Sequence, residues 1–597
     1  MKLFDKSPPK LPNNSNPPPK KMETTKLDRD LATLTQKLHL CKDKKDDIPQ
    51  QGHYLMKVQV LLQKRVYDDK DVTKLSPPVA AQLSADVVEM MKHTTLKHNE
   101  QIMEECARIL YCLSKLDPSF KKGVGRLFQA IQDHPQNLAI QRASAGAIRN
   151  VLAYTSTTSP DSAPRIASSI GVILDSMDRF PRDVKLWNIA LEILAHLPLH
   201  SSLKSIFVSS GALQHTVEAM KQHLRYATVQ VTAYQVLADL SLDSSEEIKR
   251  QLLPCIPLLV RGMTQHAIHP KLQRYGCAVL NHLSSMPEIV AVGGIETLLV
   301  AMQGHENDVM VQDQSCCALS NLLSHCPLNI MNTTTDKGSI IATVLHAMTR
   351  HAKVLEIQRH GLEILSCVCT RDKENYDLIL SEGGLGVVLA TMANYQTNVE
   401  VAQLGCELMK DVTRQSLDFQ RAVTAKGGIV VVLSTMRKHL QSIDVQDPGF
   451  ACMRNICTHK DNRLQVALDG GISTLLVAMT VYIEDAAIQA YGCDALGRLA
   501  FEPENRQAIE TEHGIDAAVQ AMKSHRGHAG VQSRAVFLLL AMAEYEPSLV
   551  SIKEQQIVGL LKKTVVPPKK EDIQRLEQLI LRVEQDGRTG WFGRKSA

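Results

Sequence analysis

The sequence predicts an all-α chain built as a stack of similar helical units. Three observations lead there. A length of 597 residues exceeds what one compact core can shield, so the chain is either several domains or an array that extends its core sideways. Hydrophobic residues make up 44% of the chain but aromatic ones only 4%, which favours helices packed through Leu, Ile, Val, Met and Ala over β-sheet. A short pattern, read first in GGIETLLVAMQGH from Gly293 to His305, also recurs along the chain.

The first 25 residues, with SPPKLP and PPPKK, are too rich in proline and lysine to bury a core and are expected to form a disordered polyproline-prone tail. Residues 26–79 are assigned to an N-terminal helical cap, because Leu27, Leu31, Leu34 and Leu38 make one helical stripe that can close the first layer of a stack. The start lacks the apolar run of a signal peptide, and no stretch is long and apolar enough to span a membrane.

Residues 80–561 carry the repeat. Apolar anchors at Ile131, Met177, Met220, Met263, Met302, Met348, Met392, Met436, Met479 and Met522 are 39 to 46 residues apart, after a degenerate copy near Met90. The anchor ends an apolar helix that enters from a double-glycine turn, as in GGLGVVLATMANY, GGIVVVLSTMRKH and GGISTLLVAMTVY. Three residues on comes a ring: His134, His223, His266, His305, His351, His439 and His525, with Phe180, Tyr395 and Tyr482 in the remaining copies. A ring position that accepts phenylalanine is no metal ligand. It reads as a plug at the helix end, with an N–H for a loose carbonyl of that helix.

A longer helix follows. Ten residues past the anchor stands Gln141, Gln230, Gln273, Gln312, Gln358, Gln446, Gln489 or Gln532, with Trp187 and Ala402 as exceptions. This glutamine is read as a buried hydrogen-bond donor to the preceding turn. Thirteen past the anchor the residue is always small, so a neighbouring helix can approach closely, and seventeen past it is always apolar. A short third element precedes several turns (ENYDLILSEGG, DNRLQVALDGG, ENRQAIETEHG), and its Asn375, Asn462 and Asn505 are read as helix N-caps. Residues 562–585, with Ile573, Leu576, Ile580 and Val583 in register, form a capping helix, and 586–597, containing Trp591 and Phe592, a flexible basic tail.

This three-helix unit, with its GGI turn, AMxxH end and VQxxGCxAL long helix, resembles the armadillo repeat. Its wording is most similar to the armadillo segment of leucine-rich-repeat kinases, although no kinase motif is present. The resemblance implies a right-handed α-α superhelix of about eleven repeats. It further implies that offsets +12, +15 and +19 of the long helix line a concave groove, where an asparagine near +19 bonds the backbone of an extended peptide. Asn150, Asn321 and Asn455 hold that offset, and Arg149, Tyr275, His360, Arg454, Tyr491 and Arg498 complete the candidate peptide groove. Glu363, Glu407 and Asp494 are its neighbours.

The function expected is a non-catalytic scaffold or adaptor binding a protein partner, as an extended peptide or a folded domain. A small-GTPase regulator is the main alternative and a nuclear-transport adaptor the next, although Gly146, Cys317 and Ala451 stand where import adaptors repeat a tryptophan. No catalytic residue, cofactor or metal site is expected, since phosphate-loop, metalloprotease, nucleophile-elbow and zinc patterns are absent. The net charge of +4 is concentrated at the two ends, leaving no basic stripe for nucleic acid. Fourteen cysteines without CxxC spacing suit free thiols in a reducing compartment, so a monomer in the cytoplasm, or the nucleus, is expected.

Overall fold

In the computed structural model, residues 26–41, 48–67, 77–93, 96–116, 123–153, 163–197, 201–325, 337–371, 374–415, 417–555, 557, 559 and 569–589 are described, and among them no strand occurs. The expectations for residues 1–25 and for Trp591 and Phe592 fall outside the described residues. The chain divides into two compact units, 1–252 and 253–597.

The first unit opens with helices Lys26–Cys41 and Ile48–Tyr67, which pack on each other and on Pro77–Lys92 and Glu100–Leu116. Leu31, Leu38, Leu55, Val58 and Leu62 are buried there, as a capping stripe requires. Three long helices follow: α1 (Leu138–Leu152), α2 (Val184–Ala195) and α3 (Ala227–Ser241). Each packs beside its predecessor, starting from Glu100–Leu116.

The second unit repeats the plan more regularly. Its long helices are α4 (Pro270–His282), α5 (Val309–His325), α6 (Leu355–Arg371), α7 (Val399–Gln415), α8 (Ile443–Ile456), α9 (Ala486–Leu499) and α10 (Ala529–Met542). They stack side by side as one layer. The anchor helices, among them Gly294–Gly304, Gly384–Asn394, Gly428–Lys438, Gly471–Val481 and Gly514–Ser524, form a second layer against them. The closing helix, Lys570–Thr589, packs on α10 and buries Leu576.

The anchors are core: Met263, Met302, Met348, Met392, Met436, Met479 and Met522 are at most 1% exposed. The small residue thirteen places on is what admits them. A Cβ at Gly492 would stand 2.4 Å from Met479 Sδ, and one at Gly449 2.8 Å from Met436 Cγ. The first glycine of each turn sits in the left-handed region, φ 80° at Gly470, where a side chain costs about 1–2 kcal/mol. His513 replaces that glycine and adopts φ 66°.

The repeated glutamine caps the end of the anchor helix. In all eight copies Nε2 donates to two carbonyls, that of the anchor and that of the ring residue: Gln489 to Met479 at 2.7 Å and Tyr482 at 2.9 Å, Gln446 to Met436 at 2.7 Å and His439 at 3.1 Å. Two carbonyls with no partner inside their helix are thereby satisfied. Trp187 imitates half of this, its indole N–H reaching Phe180 O at 3.1 Å.

The ring does something other than the sequence led us to expect. Instead of bonding its own helix end, which the glutamine already serves, it reaches back one repeat. His305 Nε2 donates to Ala267 O at 2.7 Å, His351 to Glu306 O at 2.7 Å, His439 to Gln396 O at 2.9 Å and His525 to Ile483 O at 2.8 Å. The Tyr395 hydroxyl does the same to Ala352 O at 3.1 Å.

The three asparagines of the short helices are also corrected. Asn375, Asn462 and Asn505 lie inside those helices and are 1–3% exposed. Instead of accepting as N-caps, they donate to Val368 O, Ile456 O and Leu499 O at 2.8, 3.2 and 3.1 Å, tying off the long helix before them. Burial overrides the local capping preference because a buried side-chain amide must find an acceptor, and the end of the long helix supplies one.

Candidate functional site

The face of the long-helix layer turned away from the anchors carries the candidate residues. Position +19 was expected to offer free amides, but the structure engages each of them with the preceding helix. In the first unit, Asn150 Nδ2 donates to Ser114 Oγ at 2.9 Å, while its Oδ1 accepts from Arg149 Nε and Nη2 at 3.1 and 2.8 Å. Arg149 Nη1 continues to Glu192 Oε2 on α2 at 2.8 Å. Asn150 and Arg149 therefore brace three successive helices.

In the second unit, Asn321 Nδ2 donates to Asn281 Oδ1 at 3.4 Å, and Asn281 Nδ2 to Gln314 Oε1 at 3.1 Å. Asn455 is 6% exposed, its Nδ2 held by Lys410 O at 3.1 Å and Thr413 Oγ1 at 3.3 Å. An amide so committed has no N–H left for a peptide. Tyr275, on α4, is part-exposed.

His360 is buried rather than displayed. Its Nδ1 lies 3.0 Å from Glu363 Oε2, which also accepts from Ser320 Oγ at 2.6 Å, while Arg359 Nη1 holds Glu363 Oε1 at 3.0 Å. Burial opposes the charged imidazole, yet hydrogen bonds the ring donates towards Cys317 and Glu363 outweigh it and push the ring up to about 9. Burial likewise acts against ionised Glu363, but His360, Ser320 and Arg359 together hold it below the usual carboxylate range.

Helices α8 to α10 present a different chemistry. The Arg454 guanidinium lies 5.2 Å from the Tyr491 ring centroid, with Nη2 bonded to Asn455 Oδ1 at 3.0 Å. Asp494, 5% exposed, accepts from Arg498 Nε at 2.8 Å and pairs closely with Arg534. Arg498 Nη1 also reaches Thr458 Oγ1 at 3.3 Å. Three arginines and a tyrosine thus share one face over three adjacent helices, offering guanidinium donors fixed by packing. Arg534 and Phe537 were not among the sequence candidates, although their offsets of +12 and +15 obey the rule that found the others.

No three His, Cys, Asp or Glu side chains among the described residues are placed to share a metal ion. A cleft of about 430 Å³, lined by Thr480, Ile483, Asp516 and Gln520, belongs to the anchor-helix layer. Among the described residues no single helix is long and apolar enough to cross a membrane.

With this geometry in place, comparisons with known proteins can be read. A family model, the LRRK2 ARM repeat, matches residues 290–467. A solved structure from work on a phosphorylation switch controlling the interaction between cadherin and beta-catenin superposes with a TM-score of 0.62, covering 83% of this chain and 100% of that one at 16% identity. The fold is an armadillo-type solenoid. An engineered protein shares the fold with a TM-score of 0.53 at 20% identity, covering 70% of this chain and 98% of its own. No curated protein sequence matches significantly. The armadillo solenoid is a non-enzymatic fold typical of protein-binding scaffolds.

Proposed function

We propose that this armadillo chain is a protein-binding scaffold that seats an acidic partner segment on the long-helix face of α8–α10. The observation that carries the reading is the Arg454–Tyr491 stack beside Arg498 and Arg534. Guanidinium groups held by neighbouring side chains lose little freedom on gripping a carboxylate, and interface hot spots favour arginine and tyrosine. The asparagines at +19 then serve as positioning residues that fix the spacing of the rungs, while Arg454, Tyr491 and Arg498 make the contacts. Support also comes from the neighbour whose structure concerns the interaction between cadherin and beta-catenin, which shares the fold. Free buried thiols support a reducing compartment such as the cytoplasm.

The test is affinity capture with the full chain followed by quantitative mass spectrometry. Arg454→Ala with Tyr491→Ala should cut recovery of the specific partner by about tenfold, the scale of one hot spot. A substitution on the other layer, Lys523→Glu, should leave it intact. Equal recovery with the double variant would overturn the reading.

A further inference from the structure

The repeated glutamine has one atom that its capping role leaves over. Nε2 serves the end of the anchor helix, so Oε1 needs a donor from elsewhere. Two copies supply it from the residue just before the next anchor: Ser176 Oγ donates to Gln141 Oε1 at 2.6 Å, and Thr391 Oγ1 to Gln358 Oε1 at 2.7 Å. That geometry aims Oε1 between two successive anchor helices. In the copy at Gln489 the corresponding residue is Ala521, which has no hydroxyl, and Oε1 is buried with no partner among the described residues. A buried acceptor without a donor carries a desolvation cost that a ligand N–H can relieve.

Between those two anchor helices, Gly471–Val481 and Gly514–Ser524, lies the cleft of about 430 Å³. Its volume suits a small organic ligand. Leu476, Met479 and Ala517 give it apolar walls, and the fully buried Gln489 lines it beside them. Glu512 and Asp516 add two carboxylates, while no lysine or arginine is among the described lining residues. Asp516 is held in place, its Oδ1 accepting from Gln555 Nε2 at 2.7 Å and its Oδ2 lying 3.1 Å from Nδ1 of the exposed His513. The equivalent cleft between Ile256–Gln265 and Gly294–Gly304 is about 230 Å³, and Glu296 is the single carboxylate among its described lining residues.

We propose that the larger cleft is a binding site for a primary alkylammonium group. The aliphatic stem lies along Leu476, Met479 and Ala517, one N–H is donated to Gln489 Oε1, and Glu512 and Asp516 balance the charge. An ammonium has three donors and no acceptor, which matches an unpartnered carbonyl beside two carboxylates. An anionic ligand would meet like charge there. A free amine and a lysine side chain carry this same group. The site belongs to the anchor-helix layer and is independent of the arginine face on α8–α10.

The experiment is a titration of the full chain, carrying isotope-labelled methionine methyls, with hexylammonium, read by NMR at Met479. The Met479 signal should shift and saturate, at concentrations that move Met263 of the smaller cleft less. Hexanol, the same stem without the charge, should bind about tenfold more weakly, the scale of one hydrogen bond to a charged group. Asp516→Asn should weaken hexylammonium by about tenfold as well. Ala521→Ser gives Oε1 the kind of hydroxyl that Thr391 gives Gln358, and should weaken it by about fivefold. Should Ala521→Ser lower thermal stability, the Asp516→Asn affinity decides. Nα-acetyl-lysine methylamide separates the two sources: equal affinity assigns the cleft to a lysine side chain, and weaker affinity to a free amine. The proposal is overturned by a Met479 methyl that does not respond to hexylammonium, or by hexanol binding as tightly. It is equally overturned by a hexylammonium affinity that Asp516→Asn, or a folded Ala521→Ser, leaves unchanged.

Discussion

The two units solve one problem with different parts. In α4–α10 nearly every anchor helix ends on a glutamine that serves two carbonyls, whereas α2 in the first unit relies on Trp187, which serves one. The indole compensates with packing: it is 2% exposed and lies edge-on to His223 at 5.3 Å between centroids. What the repeat requires is therefore a donor at the end of the anchor helix, not a residue type. Where a copy supplies fewer hydrogens, it makes up the difference in buried surface.

That comparison can be tested by removing the donors. Gln489→Leu strands Met479 O and leaves Tyr482 O with the Asp485 N–H alone at 3.0 Å, and should cost about 1–3 kcal/mol in chemical denaturation. Trp187→Phe strands none, because Phe180 O keeps the Asp183 N–H at 3.0 Å, and should cost about 0.5–1 kcal/mol. Equal costs would mean that packing at the site, not the number of carbonyls served, sets the requirement.

A smaller pair sharpens the account of the ring. Tyr395→Phe removes the hydroxyl bonded to Ala352 O and should cost about 1 kcal/mol. The Tyr482 hydroxyl is buried without a partner among the described residues, so Tyr482→Phe should be neutral or slightly stabilising in the same measurement. The smallest effect concerns the glutamine's leftover oxygen. Gln358 Oε1 accepts from Thr391 at 2.7 Å, but Gln446 Oε1 has no partner among the described residues and the corresponding residue of the next repeat is Ala478. Ala478→Ser should raise stability by about 0.5–1 kcal/mol, and a loss instead would show that the hydroxyl does not fit.

The sequence carried the architecture further than the site. Anchor spacing, the small residue at +13 and the glutamine at +10 could be read because each acts within one repeat, where helical periodicity fixes who meets whom. The target of the histidine ring could not, because Ala267 lies 38 residues before His305 and only the stacking of repeats brings them together. Asn455 failed for the same reason: its offset was right, but Lys410 O on the neighbouring helix had already taken the N–H. Asn375 shows the opposite error, a local capping preference trusted where burial decided. Arg454 and Tyr491 do share a face as their offsets led us to expect, because half-buried residues follow the period of their own helix.

The backward reach of the ring gives the stack a polarity that its helices alone do not have. A fragment cut so that it begins at Gly428 keeps the half-buried His439 ring but loses Gln396, and so carries a ring face and an N–H without the repeat that covered them. A fragment ending just before that cut loses a donor to a carbonyl that water can satisfy. Deletion series from the two directions should therefore fail unequally, with the amino-terminal side the harder one to trim.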